Sequence, residues 1–310
     1  MRKLIYFAFI VLLVQACKKS DTEDSTYSVD TTNESAQQVG DVSASVDEAG
    51  GNTNGSITTA ALEIESAKKS FARLSGEELN TAKISSLFLP EAQAALCKDV
   101  AFGACVSTTT GRRVRDFASC TTGGGGVITG DVALTFSNSL CKIMSNGESV
   151  ARVPNFTITG LRGATFTVNA PTTGQVVSRT GATNYNFTNN GIRRTFVTPK
   201  GVTLLDVTTT TGNASAVTPM TFTGDNRTNR QINGGTLHVV NNLTSDACTL
   251  TPTGIIWTGG CTCPTAGNWT GSCSPSGKTF KVTFKTVCGE ATVENTGEAT
   301  RDVVLDRCSS

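Results

Sequence analysis

The chain has 310 residues, of which 16% are charged and 6% aromatic, and its formal net charge is +1. This balance, with so few aromatic side chains, argues against a nucleic-acid partner, which needs a basic face and stacking platforms. A single histidine, His238, excludes two-histidine metal centres and weighs against Ser-His nucleophilic triads.

The chain opens with Arg2 and Lys3, followed by an unbroken apolar run from Leu4 to Val14. As a helix that run spans roughly 17 Å, well short of the about 30 Å of a bilayer core, so it reads as the hydrophobic stretch of a signal peptide over residues 1–16. Val14-Gln15-Ala16-Cys17 then resembles the lipobox of bacterial lipoproteins, with an aliphatic residue three before the cysteine and a small one directly before it. Gln15 departs from the small or hydroxyl residue usual at the middle position. The resemblance implies cleavage after Ala16 and attachment of palmitate-type acyl chains at Cys17. Cysteine parity supports it independently: eleven cysteines are awkward in an exported protein, and removing Cys17 leaves ten that can all pair. Lys18, rather than Asp, follows the cysteine, so the expected location is the bacterial outer membrane.

From residue 17 to 59 large apolar residues are almost absent, and over 18–60 eight acidic residues face two basic ones. Such a stretch buries too little apolar surface to offset its chain entropy, so it reads as a disordered tether reaching about 35 Å. Residues 60–96 change character, with Ile64, Ala67, Phe71 and Leu74 at helical spacing. Ser75-Gly76-Glu77-Glu78 reads as a capping box for a second helical stretch that Pro90 ends, and residues 91–96 as one more short helix.

Residues 97–310 are rich in threonine (fifty in the whole chain) and carry alternating apolar and polar runs. Strands are expected over 127–137, 155–159, 164–169, 191–198, 202–209, 236–241 and 279–286, with Asn189-Asn190-Gly191 and Asn233-Gly234-Gly235 as hairpin candidates. The expected fold is mainly β, an antiparallel sandwich-like or twisted-sheet domain stapled by disulfides. Four cysteines lie early (Cys97, Cys105, Cys120, Cys141) and six late (Cys248, Cys261, Cys263, Cys273, Cys288, Cys308), so each group can pair within itself. The spacing does not fix the individual bonds.

Cys261-Thr262-Cys263 lacks the spacing and the histidines of zinc ligand sets, so disulfides are expected there and no metal or cofactor. Asp116, Asp131, Asp206, Asp225 and Glu290 are scattered, which leaves no catalytic cluster and makes a carboxylate-dependent hydrolase a minor alternative. Residues 101–310 hold seventeen basic and eleven acidic groups, and Arg193, Arg194, Arg227 and Arg230 form a candidate anion-binding set. The leading expectation is a non-enzymatic envelope lipoprotein, structural or binding, held to the membrane by its anchor. A module for a lipid, glycan or peptide ligand using basic strand surfaces is the main alternative, and another protein is a further possible partner. Thr-x-Thr units at 157/159, 165/167, 221/223 and 249/251/253 show no fixed period of the kind that flat ice-binding faces need.

Overall fold

A computed structural model describes residues 34–40, 42, 59–75, 102–107, 109–121, 126–141, 145–225, 228–305 and 308. The signal peptide, Cys17, Cys97, Arg227 and the helices expected after Ser75 lie outside these residues.

The domain is mostly β. Among the described residues seventeen antiparallel strands form one hydrogen-bonded sheet, in line with the expected antiparallel, disulfide-stapled β domain. The path is an up-and-down meander. It starts at β1 (Val106–Ser107), and β2 (Gly111–Asp116) and β3 (Cys120–Thr121) then lie end to end along β4 (Val127–Phe136). Next, β5 (Ser149–Thr159) pairs with both β6 (Thr165–Asn169) and β7 (Gln175–Arg179), which together line one edge of β8 (Asn184–Val197). Beyond β8 come β9 (Thr203–Thr211) end to end with β10 (Met220–Thr223), and then β11 (Gln231–Gly234) with β12 (Leu237–Asn241). Four full strands finish the sheet: β13 (Asp246–Ile256), β14 (Ala266–Ser274), β15 (Thr279–Phe284) and β16 (Glu290–Asn295). The short edge strand β17 (Arg301–Val304) closes it.

Strand alternation gives the sheet one apolar and one polar face. Inward go Ile128, Phe156, Ile158, Phe166, Phe196 and Leu205 in one cluster, and Phe187, Met220, Leu250, Trp257, Trp269 and Val282 in another. Each such side chain contributes about 1.5–3 kcal/mol by burial. Outward go threonines, serines and asparagines. Thr129, Thr157, Thr167 and Thr195 stand directly opposite one another on four successive strands, and the hydroxyls of Thr157 and Thr167 are 3.0 Å apart.

Two N-terminal segments cover the apolar face. Helix α1 (Thr59–Ser75) follows the expected periodicity. It buries Ala67 and Phe71 in the β4–β9 cluster, and Phe71 meets the Phe196 ring edge-on at 5.8 Å. The second segment corrects the sequence reading. Residues 34–40, expected within a disordered tether, are helical and buried, as is Val42. Ala36, Val39 and Val42 join the apolar cluster of the C-terminal strands.

The remaining side chains of the segment are polar, and the sheet wraps round to meet them. Gln38 Oε1 accepts hydrogen bonds from Arg194 Nη1 at 2.7 Å and Thr209 Oγ1 at 2.9 Å, while its Nε2 donates to Glu34 Oε1 at 2.9 Å. Gln37 Nε2 donates to the Val304 carbonyl at 2.9 Å, and Arg73 of α1 reaches Glu34 at 3.4 Å. The segment thus touches β8 and β9 on one side and β17 on the other. Composition alone misplaces it, because its burial depends on hydrogen-bond partners that only the folded sheet supplies.

Both expected hairpins are also corrected. Asn189-Asn190-Gly191 lies inside β8 as a bulge, where Asn189 Oδ1 accepts the amides of Gly191 at 3.1 Å and Ile192 at 3.2 Å. The register with β9 slips there, and Gly191 takes φ of 119°. Asn233-Gly234-Gly235 joins β11 to the collinear β12, with Gly235 at φ of 100°. A bulge and a tight turn call on the same residues, a glycine at positive φ beside a capping asparagine, so sequence does not separate them.

The late cysteines pair among themselves as Cys248–Cys273, Cys261–Cys288 and Cys263–Cys308. Among the early ones Cys105 pairs with Cys141, and Cys120 is also disulfide-bonded.

Candidate binding groove

Of the four arginines read as an anion-binding set, three are described: Arg193, Arg194 and Arg230. Arg193 and Arg194 are neighbours on β8 and therefore face opposite sides of the sheet. Outward, Arg193 makes a two-pronged pair with Asp206, at 2.8 Å and 2.5 Å. Inward, Arg194 is buried against Gln38, and Arg230 is fully buried. Arg193 is thus exposed but paired with Asp206, while Arg194 and Arg230 are buried within the fold.

The carboxylates are dispersed as well. The Arg193 guanidinium, with help from Asn242, holds Asp206 below the usual carboxylate range. Lys285 at 2.6 Å and Thr292 at 2.9 Å do the same for Asp302. Tyr185 donates its hydroxyl to Asp225 at 2.7 Å. Burial, reinforced by that bond, pushes the Tyr185 phenol up to about 12. His238 packs on β12 with Nδ1 3.3 Å from Thr249 Oγ1, and burial lowers its pKa. Among the described residues one grouping has metal-type donors, Asp246 with Cys248 and Cys273. Those two cysteines are joined in a disulfide, so they offer no thiolate. Cys261 and Cys263 are likewise bridged, to Cys288 and Cys308.

A feature that sequence reasoning missed lies on the outer face of β13–β16. There a groove of about 600 Å³ is lined almost wholly by polar side chains. Its geometry follows from strand register. Thr249, Ser272 and Thr279 stand opposite one another in one row; Thr251, Thr270, Lys281 and Glu294 form the next. Under the groove sits Gly271, whose missing side chain makes room for the Phe280 ring. A Cβ at that position would come 2.4 Å from the ring, so the aromatic fills the inner face beneath β14. Outward, β13 and β14 then carry only short hydroxyl side chains, beside the longer Lys281 and Glu294.

Part of the groove's polar lining is unpaired, although Thr279 pairs with Thr296 and Thr249 lies 3.3 Å from His238 Nδ1. Among the described residues Thr251, Thr270, Ser272, Lys281 and Glu294 make no side-chain hydrogen bond or ion pair. Lys281 and Glu294 are direct cross-strand neighbours and still do not pair. In the adjoining outer row Thr292 donates to Asp302, which Lys285 also reaches, whereas the Thr283 hydroxyl has no partner. Free hydroxyls, one ammonium and one carboxylate in a single recess offer donors and acceptors without net charge.

No protein-family model, curated protein or solved structure matches this chain.

Proposed function

We propose that this chain is a lipid-anchored protein of the bacterial envelope, held through Cys17 to the outer membrane, whose sheet is a non-enzymatic binding module. The observation that carries the binding role is the β13–β16 groove, in which the Thr251, Thr270 and Ser272 hydroxyls and the Lys281 and Glu294 side chains are unpaired. Support for an exported, oxidised protein comes from the cysteines. All nine described cysteines after Cys17 are in disulfides, as expected outside the reducing cytosol. Carriage of a lipid inside the sheet is less well supported, because Ala36, Val39, Val42 and helix α1 already cover the apolar face.

Two lipid chains or more make an anchor stable, whereas one chain binds marginally and reversibly. Intact mass and membrane fractionation of the wild type and Cys17→Ser test the anchor. The wild type is expected to carry diacylglycerol mass and to sediment with membranes, and Cys17→Ser to be soluble. A wild type without added mass that stays in the soluble fraction overturns the anchored reading.

A further inference from the structure

We infer that the β13–β16 groove binds an extended, uncharged glycan chain; the inference rests on reading this groove as the binding face. The first argument is position. β14 and β15 are each paired on both edges, so their backbone amides and carbonyls are committed to the sheet. A ligand here is recognised by side chains alone, which excludes a peptide added as an extra strand.

The second argument is the chemistry of the lining. Hydroxyls both donate and accept, as sugar hydroxyls do, and Thr251, Thr270 and Ser272 present theirs to solvent without protein partners. An acyl chain would leave the lining hydroxyls, the ammonium and the carboxylate without partners. A polyanion would meet Glu294 and a polycation Lys281, while a neutral chain with ring hydroxyls or acetamido groups can use both residues as hydrogen-bonding ends. The third argument is spacing. Neighbouring strands lie about 4.8 Å apart, so a chain laid across them meets a fresh set of donors and acceptors at each strand. That is the order of advance of one sugar ring along an extended glycan, which favours a polymer over a single small sugar.

The test uses the oxidised Cys17→Ser chain, which retains the whole sheet. Linear oligomers of N-acetylglucosamine and of glucose, from one to six rings, are titrated by calorimetry. Saturable binding that strengthens with ring number is expected. Thr270→Val with Ser272→Ala, which keeps strand-compatible shapes, should weaken it at least about tenfold, as the loss of two hydrogen bonds implies. Lys281→Met with Glu294→Gln should weaken it as well. Absence of binding to both oligomer series, or unchanged affinity in a double variant that unfolds at the wild-type urea concentration, overturns the inference.

A second arm separates this failure from failure of the binding role itself. A photo-crosslinking residue in place of Thr251 is introduced into the chain in cells. Crosslinks to glycan support the inference. Crosslinks to protein refute the glycan class and leave the binding role standing, and no crosslink above a control position on the far edge refutes both.

Discussion

Gln38→Leu tests the least expected feature of the fold, the burial of a polar stretch that composition assigns to a tether. Gln38 is 1% exposed. Its Oε1 accepts from a buried guanidinium and from a buried threonine hydroxyl, at 2.7 Å and 2.9 Å. Leucine fits the space but accepts nothing. A hydrogen bond from a charged donor is worth about 1.5–3 kcal/mol, and a buried hydroxyl left without a partner costs about 1–3 kcal/mol. Arg194 keeps further contacts, and leucine adds apolar burial, so the expected loss sits toward the lower end at about 2–4 kcal/mol. Urea unfolding of the oxidised Cys17→Ser chain reads this directly, with Trp257 and Trp269, both fully buried, as fluorescent probes. Combining Gln38→Leu with Arg194→Met gives a double-mutant cycle, in which contacting residues couple by about 0.5–3 kcal/mol. A surface or disordered position shifts stability by no more than about 0.5 kcal/mol. A Gln38→Leu change within that limit, with no coupling to Arg194, would refute the placement of residues 34–40 inside the sheet.

Three further outcomes follow from the same contacts. Phe71→Ala removes a fully buried ring from between α1 and β8 and should cost about 3–5 kcal/mol in urea unfolding; a cost below 1 kcal/mol would mean that α1 does not dock. Replacing Cys263 and Cys308 by serine opens a loop of sequence separation 45, worth about 4 kcal/mol by loop entropy; equal urea midpoints for variant and wild type would contradict the assigned pairing. A chain cleaved after Ala16 has two tyrosines, Tyr27 and Tyr185, and Tyr185 is held protonated up to about 12. Its folded value lies above the unfolded value of about 10, so its stabilisation is complete below pH 10 and declines between pH 10 and about 12. Ultraviolet titration should therefore show one delayed phenolate in the folded chain, and Tyr185→Phe should abolish it along with that part of the alkaline loss of stability.

What could be read from the sequence was what depends on local pattern. The expected runs at 127–137, 155–159, 164–169, 236–241 and 279–286 coincide with strands because they alternate apolar and polar residues over half-buried sheet. α1 was legible from Ala67, Phe71 and Leu74 for the same reason. Strand β14, Ala-Gly-Asn-Trp-Thr-Gly-Ser-Cys-Ser, was not. It is small and glycine-rich, and it holds its place through Cys248–Cys273 and the Phe280 ring rather than through branched side chains of its own. Because β13, β14 and β16 all escaped the pattern, so did the groove. Its unpaired hydroxyls become a site only when register sets Thr251 beside Thr270 and Lys281 beside Glu294. The adjacent arginines show the converse. Adjacency in sequence suggested a patch, and strand alternation sent Arg193 and Arg194 to opposite faces.

The buried segment also changes what an anchor at Cys17 would do. If the chain became ordered only after residue 59, a fully extended leash from Cys17 would let the domain stand about 150 Å from the lipid, at 3.3–3.6 Å per residue. With Glu34 already bound inside the sheet, only seventeen residue steps separate it from Cys17, which limits the distance to about 60 Å. With such an anchor, the polar contacts of Gln37 and Gln38 would set how far the groove can travel from the membrane. Any pull on the lipid end is transmitted through Glu34, Gln37 and Gln38 to β8, β9 and β17, and these side chains would be the first to part under load. Substitutions that weaken them should therefore lengthen the reach of the groove at the same time as they lower stability, an effect distinct from that of equally destabilising changes elsewhere in the core.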